Sequence, residues 1–275
     1  MLGIGKPTSL EAKSRGNLAC AFDSRRLRQN FLRSRYNAAV KIVCISDTHL
    51  RHKRFPIDVP EADILIHAGD ACLEGTLPEV KEFFTWWETL KARHKVFVPG
   101  NHDWLFQKAP DLARSCLPPG TVLLQDSMAE VEGLKIFGSP WQPEFQNWAF
   151  NLPRGWPLKQ KWKAIPDGID VLITHGPPMG IMDWSDFGKE HAGCGDLREE
   201  LHRIKPGLHV FGHIHRDYGT LFREGTLFVN AAVCDEAYIP THQPIVVEHT
   251  PEVGFTVISG PKKKLLKDRR AAPLW

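Results

Sequence analysis

The chain has 275 residues, with 35 Lys and Arg against 32 Asp and Glu, a formal net charge of +3, and a hydrophobic fraction of 42%. That sum conceals unlike segments: residues 1–40 hold eight basic and two acidic side chains and 260–275 hold six and one, leaving 21 basic and 29 acidic in 41–259. A uniformly basic nucleic-acid binder and an acidic disordered chain are both excluded, and the apolar content suffices for a sizeable core.

Residues 1–39 are Arg-rich, poor in acids, and lack the apolar stretch of a secretory signal. They read as a basic, disordered extension or an over-long start, with an organellar transit peptide as the alternative. Residues 40–259 read as the folded domain. Short β-branched runs begin with 41–46 (KIVCIS), 63–68 (DILIHA) and 95–98 (KVFV), each bounded by Gly, Pro or charge as buried strands are. Between the second and third, 77–93 puts Val80, Phe83, Phe84, Trp87 and Leu90 at helical spacing. A strand at 134–138 is followed by 139–166, with four Trp and five Pro and no clear period. That stretch reads as an irregular packed loop or as a wall beside an active site. Then come a strand at 170–174, a helix over 194–204 with Asp196 as N-cap, and strands at 208–212, 226–231, 244–249 and 254–258. Residues 260–275 form a basic tail. Strands alternating with helices and then with hairpins predict a layered α/β fold with mixed sheets.

Six cysteines without a C-x-x-C pair imply neither a disulfide framework nor a zinc knuckle, so a reducing, cytoplasmic location is expected. No apolar run reaches the roughly 20 residues of a membrane span.

Five strands end directly in Asp, Asn or His. Asp47-Thr48-His49 follows the first strand, Gly69-Asp70 the second and Gly100-Asn101-His102-Asp103 the third; His175 follows 170–174, and Gly212-His213-Ile214-His215 follows 208–211. In open α/β sheets the ligand crevice lies beyond the carboxyl ends of the strands, so parallel neighbours would bring all five motifs to one edge. Asp, Asn and His without thiolate suit Mn, Fe, Zn or Mg. Seven or eight ligands are too many for one ion and suit two, and Asp70, alone in its motif, is the natural bridge. Two such ions could hold a hydroxide and clamp an in-line displacement at phosphorus. Gly69, Gly100 and Gly212 adjoin these residues, where a tight turn or close approach calls for Gly. His67 reads as a buried strand residue with a supporting role as the alternative, and Asn230 as structural.

The order D-x-H, G-D, G-N-H-D, H and G-H-x-H resembles the metallophosphoesterase, or calcineurin-like phosphoesterase, superfamily over nearly all of 41–259. The stretches 139–143 (SPWQP), 148–151 (WAFN) and 174–178 (THGPP) narrow the resemblance to the metallophosphoesterase-domain-containing and class III cyclic nucleotide phosphodiesterase-like group. The resemblance implies a four-layer α/β/β/α sandwich and two divalent metal ions, Mn²⁺, Fe²⁺/Fe³⁺, Zn²⁺ or Mg²⁺. It puts Asp47, His49, Asp70 and His215 on one ion and Asp70, Asn101, His175 and His213 on the other. His102 would contact the phosphate and serve the leaving oxygen, oriented by a hydrogen bond that Asp103 accepts. The implied activity is hydrolysis of a small phosphodiester or phosphomonoester, a nucleotide or cyclic nucleotide foremost, by a metal-bridging hydroxide. A metal-free protein-binding scaffold and a nuclease using the basic ends stand as alternatives, although short basic runs hold nucleic acid weakly.

Overall fold

The structure, a computed structural model, describes residues 39–262. The basic extension expected before residue 39 and the tail beyond 262 lie outside the described residues. Among those described, no helix is long and apolar enough to cross a membrane.

Two six-stranded sheets form the centre. In the first, β1 (Val40–Ile45), β2 (Ala62–His67), β3 (Ala92–Phe97) and β4 (Thr121–Leu123) run parallel in that order; β15 (Ile245–Thr250) and β16 (Gly254–Ser259) extend the β1 edge antiparallel. In the second, β6 (Leu134–Ser139), β9 (Val171–Thr174), β12 (Leu208–Phe211) and β14 (Thr226–Asn230) are parallel, with β5 (Ser127–Val131) and β13 (Gly219–Arg223) antiparallel at the two edges. Backbone pairing continues past β16, where Thr220 N donates to Pro261 O at 2.8 Å.

Alternation along each strand sends side chains to opposite faces and so builds three apolar layers. Ile42, Ile64, Ile66 and Val96 meet Ile136, Val171, Ile173 and Val210 between the sheets. Behind the first sheet, Val43, Ile45, Leu65 and Phe97 pack on Val80, Phe83, Phe84 and Trp87 of α1 (Leu77–Thr89) and on the short helices α2 (Trp104–Lys108) and α3 (Pro110–Ser115). Behind the second, Leu172, Phe211 and Phe228 pack on α4 (Trp156–Lys163) and α5 (Gly195–Ile204). The result is the four-layer α/β/β/α sandwich. Each fully buried large side chain in these layers contributes about 1.5–3 kcal/mol.

Several boundaries differ from the sequence expectation. The first helix stops at Thr89 because Leu90 turns extended (ψ 139°), and β3 already begins at Ala92. Glu79 secures its start, accepting from the Thr76 and Glu74 backbone N–H groups at 3.3 and 2.9 Å. The N-cap of α5 is Cys194, whose Sγ accepts from Leu197 N at 3.4 Å. Asp196 lies in the first turn instead and accepts from Gly155 N at 2.9 Å. The aperiodic stretch 139–166 holds the small pair β7 (Gln142–Pro143) and β8 (Asn151–Leu152) as well as α4, whose eight residues are too few to print a helical period. A second small pair, β10 (Trp184–Ser185) with β11 (Glu190–His191), runs antiparallel before α5.

Candidate metal centre

The five motifs converge because their strands are parallel neighbours: β1, β2 and β3 in one sheet, β9 and β12 in the other. Backbone links tie these strand ends to one another, within each sheet and between the two. Ser46 bridges to Ala232, Gly212 N donates to His175 O at 2.9 Å, and His49 N donates to Asp70 O at 3.1 Å. Asp47, His49, Asp70 and His213 adopt φ of 54°, 43°, 57° and 65°. Left-handed backbone at four non-glycine residues is strain of the kind that concentrates at functional sites.

Of the nine residues read from the sequence, seven fall into three groups whose ligand atoms lie within 4.8 Å of one another: Asp47–His49–His215, His49–Asp70–His102 and Asp70–His175–His213; Asn101 joins them through His175, and Asp103 through the backbone of the loops that carry them. Asp70 Oδ2 is the hub, 3.3 Å from His175 Nε2, 3.9 Å from His49 Nε2 and 4.0 Å from His102 Nε2. Its other oxygen accepts from His102 N at 2.8 Å. At one end Asp47 Oδ1 stands 3.3 Å from His215 Nε2; at the other, Asn101 Oδ1 stands 2.8 Å from His175 Nε2.

The backbone sets which nitrogen each ring presents. His49, His102, His175 and His215 place Nδ1 against the carbonyls of Cys72, Leu73, Ala68 and Asp235 at 3.1, 2.6, 2.9 and 2.8 Å. A carbonyl only accepts, so each Nδ1 carries hydrogen and each Nε2 is left to face the cluster, the tautomer that binds metal. His49 Nε2 and His215 Nε2 face each other at 3.4 Å. In the neutral rings these are opposed lone pairs, which a shared cation or proton reconciles. Imidazole, carboxylate and amide oxygen suit a hard-to-borderline divalent ion. Burial pushes the neighbouring Cys234 thiol up to about 12 and Cys72 higher still, so neither supplies a thiolate. The residues fit a divalent metal centre.

Charges bear this out. Burial opposes ionisation of Asp47 and Asp70, yet the surrounding imidazoles hold both below the usual carboxylate range, His215 acting on Asp47 and His175 on Asp70. Burial lowers His49 and His213 to about 3, so both are neutral at pH 7. His175 behaves oppositely: burial would lower it, but the Asp70 and Asp47 carboxylates raise it to about 9. Its Nε2 then carries a proton between Asn101 and Asp70, in the direction a cation would take.

The expected hydrogen bond from His102 to Asp103 is not made. The His102 Nδ1 hydrogen goes to Leu73 O, and the Asp103 carboxylate is spent on backbone N–H groups of Gly100 (2.8 Å), Cys72 (3.0 Å) and Ala71 (3.3 Å). Asp103 therefore braces the two loops that carry Asp70 and Asn101. Burial and the nearby Asp70 charge raise it to about 6. His67 takes the supporting role: Nδ1 accepts from Gly69 N at 3.2 Å, so Nε2–H donates to Thr48 Oγ1 at 3.0 Å. Asn230 braces the last motif by donating to Ile214 O at 2.8 Å.

A cleft of about 820 Å³ opens onto Asp70, Asn101, His102, His213 and His215. Part of the Trp-rich stretch forms one wall, where Trp148 lies on the His102 ring with centroids 4.1 Å apart. Tyr238 faces it from the loop after β14. No motif marked Tyr238 in the sequence; a lone tyrosine between strands carries no spacing signal.

The family model for calcineurin-like phosphoesterases matches residues 40–217. The chain is 42% identical over 231 residues to human metallophosphoesterase domain-containing protein 1, spanning 76% of this chain and 70% of that one. It is 35% identical over 228 residues to a UPF0046 protein of Caenorhabditis elegans, spanning 76% and 80%. One solved crystal structure shares the fold with a TM-score of 0.57 at 16% identity, covering 80% of this chain and 98% of the other. A protein of Thermus thermophilus, TT1561, shares it with a TM-score of 0.50 at 12% identity, over the same shares.

Proposed function

Because the chain belongs to the calcineurin-like phosphoesterase family, we propose that it hydrolyses a small phosphodiester or phosphomonoester with two divalent ions. A nucleotide or cyclic nucleotide is the leading substrate class. The observation that carries this reading is the convergence of backbone-fixed Nε2 atoms on Asp70 Oδ2, with a second convergence at Asp47. Asp47, His49, Asp70 and His215 would hold one ion and Asp70, Asn101, His175 and His213 the other, Mn²⁺ being the ion to try first. Such ions supply Lewis acidity at the phosphoryl oxygens and a nucleophile from water at neutral pH.

The chain's own groups do the rest. His102 Nε2 lies on the cleft wall and, when protonated, donates to the leaving oxygen, while Leu73 O keeps Nδ1–H in place. Trp148 packs on the His102 ring and fixes its plane. Glu144, Glu190 and Glu236 on the cleft wall repel a polyanion and favour a substrate with one phosphate over nucleic acid. Asp70→Asn and His213→Ala should abolish Mn²⁺-dependent hydrolysis of an aryl phosphodiester. Unchanged turnover in either variant rejects the assignment.

A further inference from the structure

Tyr238 has no part in the proposed ligand set, yet the fold fixes it beside that set with care. Its ring centroid stands 4.6 Å from His49 in edge contact, 5.4 Å from His215 and 6.2 Å from His102. Asp47 and His49 are fully buried and do not line the cleft, whereas Tyr238 does. The phenol ring therefore borders the cleft beside the Asp47–His49–His215 end.

The loop that carries it is tied to a ligand. Asp235 Oδ1 accepts from Ala237 N at 2.9 Å and Ile239 N at 3.0 Å, which locks the turn. The Asp235 carbonyl accepts both Tyr238 N at 2.9 Å and His215 Nδ1 at 2.8 Å, so one oxygen locates the phenol and the imidazole together. Tyr238 sits at φ 59°, in a region a bulky side chain rarely adopts. The Tyr218 hydroxyl, by contrast, is used up on Gln243 O at 2.6 Å. Among the described residues the Tyr238 hydroxyl has no hydrogen-bond partner. A phenol hydroxyl offers one O–H donor as well as acceptor lone pairs.

We propose that Tyr238 is a substrate-contacting residue, whose hydroxyl donates a hydrogen bond to a phosphoryl oxygen held at the Asp47–His49–His215 end of the cleft. His102 serves the substrate beside Asp70, and Tyr238 provides a donor that is not a metal ligand. This inference rests on the phosphoesterase reading given above.

The test uses the full chain loaded with Mn²⁺, comparing wild type, Tyr238→Phe, Tyr238→Ala and Asp70→Asn. Bis(p-nitrophenyl) phosphate kinetics and calorimetric titration with inorganic phosphate are the two readouts. Tyr238→Phe keeps the ring and loses only the hydroxyl. It should lower kcat/KM and phosphate affinity by about 10- to 100-fold, the scale of one hydrogen bond to a charged group, with the bound metal count unchanged. Tyr238→Phe within twofold of wild type in both readouts overturns the inference, including when Tyr238→Ala is impaired, since the ring alone would then matter. Asp70→Asn as active as wild type, or a wild type that neither turns over nor binds phosphate, overturns the phosphoesterase reading itself and this inference with it.

Discussion

Gly100→Ala is a sharp structural perturbation of the centre that adds a single methyl group. A Cβ at Gly100 would meet the Asp70 backbone N and Oδ1 and would lie 2.7 Å from His175 Cε1, where ordinary contact begins near 3.4 Å. The obstacles are a backbone atom and two side chains fixed by their own hydrogen bonds, so none can swing aside. Relieving the contact moves the His175 ring by about 0.7 Å and shifts Asp70 as well, opening the 3.3 Å approach of His175 Nε2 to Asp70 Oδ2. Overpacking of this kind costs about 1–3 kcal/mol, which lowers Tm by roughly 2–12 °C in a domain of this size. Displacement of reacting groups on that scale lowers turnover by about 10- to 100-fold. Gly176→Ala is the control, because it also adjoins His175 but its Cβ would meet Gln142 at an ordinary 3.5 Å. Thermal melts without metal and Mn²⁺-dependent aryl phosphodiester hydrolysis should show Gly100→Ala impaired in both and Gly176→Ala close to wild type. Equal behaviour of the two variants would refute the argument that close backbone approach shapes this centre.

His102→Ala should cut kcat while elemental analysis still finds two metals per chain; loss of one metal would instead make His102 a ligand. Trp148→Ala removes the ring packed on His102 and should lower kcat with little change in Tm, since Trp148 is only partly buried; unchanged kcat would remove the wall from the mechanism. His175 carries a proton below about 9 and must release it to ligate, so metal affinity should climb with pH toward 9. Calorimetry in buffers of differing ionisation enthalpy would report that released proton, and no buffer dependence would contradict it. In the metal-free protein the raised pKa of His175 contributes stability present below its unfolded value of about 6.5 and lost as pH rises through about 9. Urea melts across that window should lose stability without metal more steeply than with it.

The site was more legible in the sequence than the elements around it. Strand ends such as KIVCIS–Asp47 and LHVFG–His213 announce themselves because a buried parallel strand is uniformly apolar and its last residue abruptly is not. The longer helix over 77–89 shows through its apolar spacing, whereas α4 hides among the Trp and Pro that pack it, and the five-residue edge strand β13, which starts at Gly219 and ends at Arg223, is too short to print an alternation. Asp103 illustrates a different limit. Its position in the motif predicts proximity to His102, but only coordinates reveal that three backbone N–H groups have already claimed its oxygens. Tyr238 lies beyond reach of sequence reasoning, because a loop residue gains its role from the carbonyl it shares with a ligand 23 residues earlier.

The central claim is that Asp47, His49, Asp70, Asn101, His175, His213 and His215 form a two-metal phosphoester hydrolase centre. Its most direct test is turnover of bis(p-nitrophenyl) phosphate measured against bound Mn²⁺ in the full chain, with Asp70→Asn alongside. The account predicts turnover that rises with metal and saturates at two ions per wild-type chain, and near-background rates with fewer bound ions in Asp70→Asn. A wild-type chain that binds no divalent ion, or hydrolysis that is indifferent to both Mn²⁺ and Asp70, would contradict it.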